Sequence, residues 1–199
     1  MANVSDARLY ARNCTFFGND ADTNGGGIYN DASSLSYVFN SILWRNGDSA
    51  GETQYAQLYY AGTVEAPGFS CVQGWTPAGL GGPGNISDDP CFVAVGNLNL
   101  SHNDYHLWPV SACLDAGDNR EVLFDVTDVD GDLDTAERVP WDHEGNPRFF
   151  DSPISDTGVA DPPAYTLIVD MGAYELQGVG TLTVHTIPPG GEVFVQDSS

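Results

Sequence analysis

Asn13-Cys14-Thr15-Phe16-Phe17-Gly18-Asn19 and Asn40-Ser41-Ile42-Leu43-Trp44-Arg45-Asn46 align without gaps at an offset of 27 residues. Asn falls on Asn at both ends, and Phe16 and Phe17 fall on Leu43 and Trp44. A unit of this size cannot bury its own apolar face and must stack on neighbours. Its apolar runs are short, are bounded by turn-formers and lack a 3.6-residue period. Together these features predict an all-β chain in which each copy is one coil of a parallel β-helix. Asn suits the repeated end positions because it tolerates a left-handed backbone and its amide reaches the Asn one rung away. The simpler alternative is two Asn-flanked apolar runs that are alike by chance.

A fainter third copy, Ser70-Cys71-Val72-Gln73-Gly74, follows at an offset of 30, with Cys71 under Ser41 and Val72 under Ile42. The longer offset fits an insertion in a loop between strands. Cys14 and Cys71 then share a coil position two rungs apart, about 9.6 Å at a rung spacing of ~4.8 Å. A disulfide needs Cβ atoms within ~4.5 Å, so both are expected as free thiols packed like small apolar groups. Whether Cys91 and Cys113 pair is left open, and no Cys-x-x-Cys suggests zinc. Between the first two copies, Gly25-Gly26-Gly27 before Ile28-Tyr29 suits a sharp corner where backbone approaches backbone, followed by a short strand. A phosphate loop would want a following helix and a Lys, and neither is seen.

The chain carries 28 acidic residues against six Arg and no Lys, for a net charge of -22. Nucleic acid and anionic lipid are therefore poor partners. A protein kept soluble by self-repulsion, one that binds cations, or one adapted to a salty or extracellular setting fits the balance. No apolar run approaches the ~20 residues that span a bilayer, and Met1 is not followed by a signal-like segment. The chain opens within a repeat and stops soon after a new pattern starts, so it is expected to be a fragment. Residues 1–75 hold the β-helix coils. Residues 76–178 form a closing segment with a Gly/Pro loop at 76–89 and a long acidic excursion at 121–165. Val169 to Glu175 is expected as its final strand. From 179 to 199 two alternating runs flank Pro188-Pro189-Gly190-Gly191, the start of a separate β-sandwich module entered by a hairpin.

Phe16-Phe17-Gly18-Asn19 and Gly25-Gly26-Gly27-Ile28 resemble the F-x-x-N and G-G-A-I motifs of polymorphic outer-membrane repeats, in bacterial surface proteins with a right-handed, pectin-lyase-like parallel β-helix. The runs Asp89-Pro90-Cys91-Phe92-Val93, Asp104-Tyr105-His106-Leu107, Cys113-Leu114-Asp115-Ala116-Gly117-Asp118-Asn119, Gly145-Asn146-Pro147-Arg148 and Asp170-Met171-Gly172-Ala173-Tyr174-Glu175 look like the C-terminal region of large secreted β-helix proteins of the "choice-of-anchor" type. The match extends over about residues 8–177. The tail resembles the first hairpin of a PEGA module. The resemblance implies a rod-like, secreted or bacterial cell-surface protein, and no reaction. Cys91 departs from the aliphatic residue usual there, which leaves a Cys91–Cys113 bridge in play.

The best candidate site is Asp128, Asp130, Asp132, Asp134 and Glu137. Carboxylates at alternate positions around Gly131 suit a hard, oxygen-seeking cation such as Ca²⁺ in a structural role. The run is not an EF-hand: the sixth position is Leu133 and the twelfth Val139. The alternative is a solvated acidic loop. No catalytic residue is assigned. Asp is too plentiful for its presence to signal a hydrolase. Arg45 is the only Arg just after a coil strand and reads more simply as a solvated corner residue. The Asn-Thr-Asp, Gly-His-Gly and Arg-x-Lys signatures of polygalacturonases are missing. His102 and His106, four apart on strand and turn, are not expected to converge on a metal. Tyr29, Tyr37, Phe39, Trp44, Tyr55, Tyr59 and Tyr60 are expected mainly as internal stacks, with exposed ones able to stack on sugar rings. The expected function is non-catalytic display of a surface that binds glycans or polysaccharide. The alternatives are a polysaccharide lyase or glycoside hydrolase with active coils upstream, and a pure spacer.

Overall fold

The computed structural model describes residues 1–96, 103–152 and 155–178. The hairpin expected in 179–199 lies outside the described residues. Within them the chain is all-β, with one four-residue helix. The strands are β1 (Ala2–Asn3), β2 (Arg8–Arg12), β3 (Thr15–Phe17), β4 (Ile28–Asn30), β5 (Leu35–Phe39) and β6 (Ile42–Trp44). Helix α1 (Gln54–Gln57) precedes β7 (Leu58–Tyr60) and β8 (Cys71–Val72), and β9 (Phe92–Ala94) and β10 (Asp104–Leu107) follow. β1-β4-β7, β2-β5 and β3-β6-β8 are parallel sheets, whereas β9 and β10 pair antiparallel. On its third pass the chain touches the β2-β5 sheet through a single parallel bridge, Gly68 to Phe39. The three parallel sheets are thus visited in the same order on each pass.

The register of the first two copies is the one the aligned Asn residues predict: Phe16 pairs with Leu43 and Phe17 with Trp44. Asn13 and Asn40 both adopt φ of 49°, the left-handed conformation that favours Asn. Asn19 donates its side-chain amide to Asn46 across 2.8 Å, and Gln57 continues the ladder through three bonds to Asn46. The glycine corner is as tight as expected. A Cβ on Gly26 would lie 2.0 Å from the Gly47 carbonyl oxygen, and one on Gly27 would lie 2.4 Å from that of Gln57.

The third copy differs from the sequence expectation by one residue. Cys71 pairs with Ile42 and Val72 with Leu43, so Ser70 rather than Cys71 lies under Ser41. A serine ladder fixes this register: Cys14 N–H donates to Ser41 Oγ, Ser41 N–H to Ser70 Oγ, and Ser70 N–H to Asn85 Oδ1. A one-residue slip would turn Cys71 and Val72 to the wrong faces. Cys14 and Cys71 are therefore not equivalent, yet both are free, as are Cys91 and Cys113. Cys71 lies against Cys113 in the core; that neighbouring thiol, then burial, pushes its pKa well up.

Alternation along β6 and β8 divides the interior in two. Leu43 and Val72 face inward with Ala11, Ile28, Val38 and Leu58, between the three parallel sheets. Ile42 and Cys71 face the other way, onto Phe92, Leu107, Cys113, Leu114 and Met171. The described residues of 90–177, a segment expected to finish the stack at its end, instead lie along the outer face of the β3-β6-β8 sheet. They reach the first copy, where Phe17 packs edge-on against Phe92 at 5.6 Å and Thr15 Oγ1 accepts the Ala173 N–H. The stack itself is extended by Ile86, through a parallel bridge to Cys71, with Pro83 and Asn85 accepting N–H groups of the third copy. Asn40 joins the two regions, its buried side chain bonding both the N–H and the C=O of Asp118. The run from Val169 to Glu175 is not a strand. Its N–H groups bond the Asn119 side chain, Glu175, Cys113 O, Asn40 O and Thr15 in turn, and Gly172 bends it at φ 105°.

Candidate functional site

The acidic excursion is closed at its neck by an antiparallel bridge between Phe124 and Arg138 and by the bond from Asp125 N–H to Glu137 O. Between them the backbone turns through left-handed residues at Asp128, Gly131 and Leu133. Asp128, Asp130, Asp132 and Asp134 each use one oxygen to accept a backbone N–H within the loop. Asp128, Asp130 and Asp132 bring carboxylate oxygens within 4.8 Å of one another. A second group within the same limit joins Asp130 and Glu137 to Asp125, a residue absent from the sequence candidates. Asp134 belongs to neither group. Glu137 has its pKa raised by burial and by the nearby charges of Asp132 and Asp130.

Two tyrosine pairs stack along the repeats, but on the outside, whereas Tyr60 packs against the inner core. Ile28 and Asn30 of β4 face the core, and Tyr29 between them faces out onto Tyr59 of β7, with ring centres 5.6 Å apart and nearly parallel. Tyr10 and Tyr37 make a second such stack at 5.0 Å on the β2-β5 sheet, and Tyr10 is 55% exposed. Two open depressions flank the Tyr29–Tyr59 pair. One of about 640 Å³ is walled by Tyr59 and exposed Tyr55 with Asp48, Thr53 and Gln54; the other, of about 300 Å³, by Tyr29 and Asp20. Asn24 lines both. Both oxygens of Asp48 already accept backbone N–H groups, from Ala50 and from Gly25.

Arg45 occupies a left-handed corner, φ 54°, at the position where the other copies have Gly18 and Gly74. Its guanidinium lies 5.9 Å from the Phe17 ring centre and its N–H donates to Gln73. His106 bonds Asp104 and Glu144 and packs on Tyr174 at 4.3 Å. Burial alone would lower its pKa, but those two carboxylates raise it on balance. His102 lies outside the described residues.

A second set of acids is buried beneath the closing segment. Asp170 accepts the N–H groups of Asp115 and Leu176, Glu175 accepts that of Asp170, and Asp142 accepts those of Glu144, Asn146 and Glu175. Asp115 accepts the Ser152 hydroxyl. Arg148 is buried among them, bonded to Trp141 O and Ala173 O. Burial pushes Asp170 up to about 7, raises Asp115 and takes Glu175 well above the usual carboxylate range. At Asp142 burial also pushes upward, but the accepted backbone N–H bonds outweigh it and the carboxyl ends low. These acids organise backbone, only Glu175 among them also lining a depression, beside His106 and Tyr174, and no spacing in the sequence marks their grouping. No protein-family model, curated protein or solved structure matches the chain. Among the described residues no helix is long and apolar enough to cross a membrane.

Proposed function

We propose that this chain is a stretch of an extracellular or cell-surface right-handed parallel β-helix that displays a glycan-binding face and carries out no catalysis. The β-helix is supported by parallel pairing at offsets of 27 to 30 residues in sheets visited in constant order. Right-handedness follows from the ~98% preference of parallel crossovers. The observation that carries the function is the outward Tyr29–Tyr59 stack with an open depression on either side. Flat aromatic faces pack on pyranose rings, while Asn24, Thr53 and Gln54 offer hydrogen bonds to hydroxyls. Two adjoining depressions one repeat apart suit a polymer better than a single sugar. The surplus of acid favours a neutral polysaccharide over an anionic one.

A lyase or hydrolase is the less favoured reading. Asp48 is held by two backbone N–H bonds, Arg45 lies apart from the depressions, and hydrolysis needs two carboxylates at a set separation. The test is incubation of the chain with neutral and acidic polysaccharides, in Ca²⁺ and in EDTA, reading depletion of protein and release of new chain ends. Depletion on a neutral polymer, lost in Tyr59→Ala and Tyr55→Ala, is expected. New chain ends would overturn the non-catalytic reading. Neither signal from folded protein would leave a spacer.

A further inference from the structure

Asp125 is 1% exposed, yet its Oδ1 has no hydrogen-bond partner. Its Oδ2 accepts the Val129 N–H at 2.8 Å, which fixes the carboxylate, and the carboxylate groups with those of Asp130 and Glu137. Glu137 shows the same pattern: Oε2 accepts the Tyr165 hydroxyl, while Oε1 is buried and unpartnered. A buried carboxylate oxygen without a partner is costly, and two in one group are costlier still. The nearest guanidinium does not relieve them. Arg138 is committed to Asp161 and to the Val122 carbonyl, above the Phe124 ring.

The spacing suits an ion. Oxygens on opposite sides of Ca²⁺, each at about 2.4 Å, are about 4.8 Å apart. The donor atoms of Asp125, Asp130 and Glu137 all fall within 4.8 Å of one another. The loop also needs such a centre. Val126, Val129 and Leu133 point to solvent, Leu133 at 87% exposure, so the excursion has little apolar core of its own. The other acidic group, Asp115 with Asp151 and Asp156, makes the contrast: there the buried Asp115 carboxylate is bonded by Ser152.

We propose that Asp125, Asp130 and Glu137 hold one Ca²⁺, with Asp128 and Asp132 as flanking donors and Asp134 outside the site. Carbonyls and water would complete the six to eight oxygens that Ca²⁺ takes. The site stands independently of glycan binding. It ties the neck of the loop, where Asp125 and Glu137 pair, to its tip.

The test is calorimetric titration of the metal-free chain with Ca²⁺, with melting followed in Ca²⁺ and in EDTA. One equivalent of Ca²⁺ should bind and raise the melting temperature. Asp125→Asn keeps the acceptor for Val129 N–H but loses the anionic donor, and should weaken binding by about 10-fold or more. Glu137→Gln should do the same, and Asp134→Asn should change affinity by less than about 3-fold. In EDTA, Asp125→Asn should melt no lower than the parent, which separates loss of the ion from loss of the fold. Absence of Ca²⁺ binding would overturn the proposal. So would parental affinity in both Asp125→Asn and Glu137→Gln, or an Asp134→Asn effect as large as theirs.

Discussion

The two halves of the molecule satisfy their backbones by different means. In residues 1–72 the N–H and C=O groups pair in parallel ladders, and neutral side chains, Asn, Ser and Gln, repeat beside them at the same offsets. Among the described residues of 109–178 no strand forms, and buried carboxylates take over as acceptors, with Asp170 and Asp142 together receiving five backbone N–H groups. A backbone ladder is repetitive and does not itself titrate, although Asp31 and Asp48 also accept an N–H from the neighbouring copy. A carboxylate network fixes an irregular path, but its strength depends on protonation and on the charges around it. The repeats therefore set a rigid wall, and the closing segment is a conditional cover laid over one face of it.

The largest effect should come from the wall. Leu43→Ala, deep between the parallel sheets, should cost about 4 kcal/mol in denaturant unfolding. A cost below ~1 kcal/mol would mean that this core does not exist. Asn40→Ala attacks the junction. It strands both backbone groups of Asp118 and places Ala at positive φ, for a loss of about 3 kcal/mol. Limited proteolysis should then cut the closing segment first and leave the repeats intact.

The carboxylates should reveal themselves through pH. Asp170, Glu175 and Asp115 bind protons more tightly folded than unfolded, so their contribution is full below ~pH 4 and is lost as pH rises through their folded values, about 7 for Asp170. His106, also raised, adds a loss in the same direction above its unfolded value of ~6.5. Asp142 and Asp104 run oppositely, contributing above ~3.9 and failing as pH falls through their lowered values. In EDTA, the melting temperature should peak between about pH 4 and 6 and fall by several degrees by pH 8. Glu175→Gln should flatten that fall. An optimum above neutrality would contradict the assignment.

The smallest effect concerns Arg45. Replacing it by Gly, the residue at the equivalent corner of both other copies, removes left-handed strain of about 1 kcal/mol but loses the contact with Phe17. Unfolding should show Arg45→Gly within ~1 kcal/mol of the parent, on the stabilising side, with polysaccharide binding unchanged.

Much of the wall was legible because its markers repeat. Asn13, Asn40, Asn19 and Asn46 recur at 27 residues for a backbone reason, and the register followed from them. The third copy was misaligned because Cys71-Val72 is a weak apolar marker and Phe69 replaces the corner Asn. Ser70, matching Ser41, was the better guide. The cover was not legible. Asp115, Asp142, Asp170 and Glu175 meet only in three dimensions, and no period links them. Asp125 was missed because it stands apart from the run beginning at Asp128. Its place between Phe124 and Val126 was the available signal, an acid set among apolar residues at the neck of a loop. Tyr60 does pack against the inner core as expected, but Tyr29, Tyr37 and Tyr59 stack on the outer face, because outward positions on a parallel sheet also recur once per repeat.

The most direct measurement is hydrogen exchange of the whole chain at pH 6 and pH 8 in EDTA, compared as protection factors. At pH 8 the amides of residues 109–178 should lose protection by about 10-fold or more, while those of β4, β5 and β6 keep theirs. Equal loss across both regions, or loss confined to the repeats, would contradict a wall that does not titrate between pH 6 and 8 under a carboxylate-held cover.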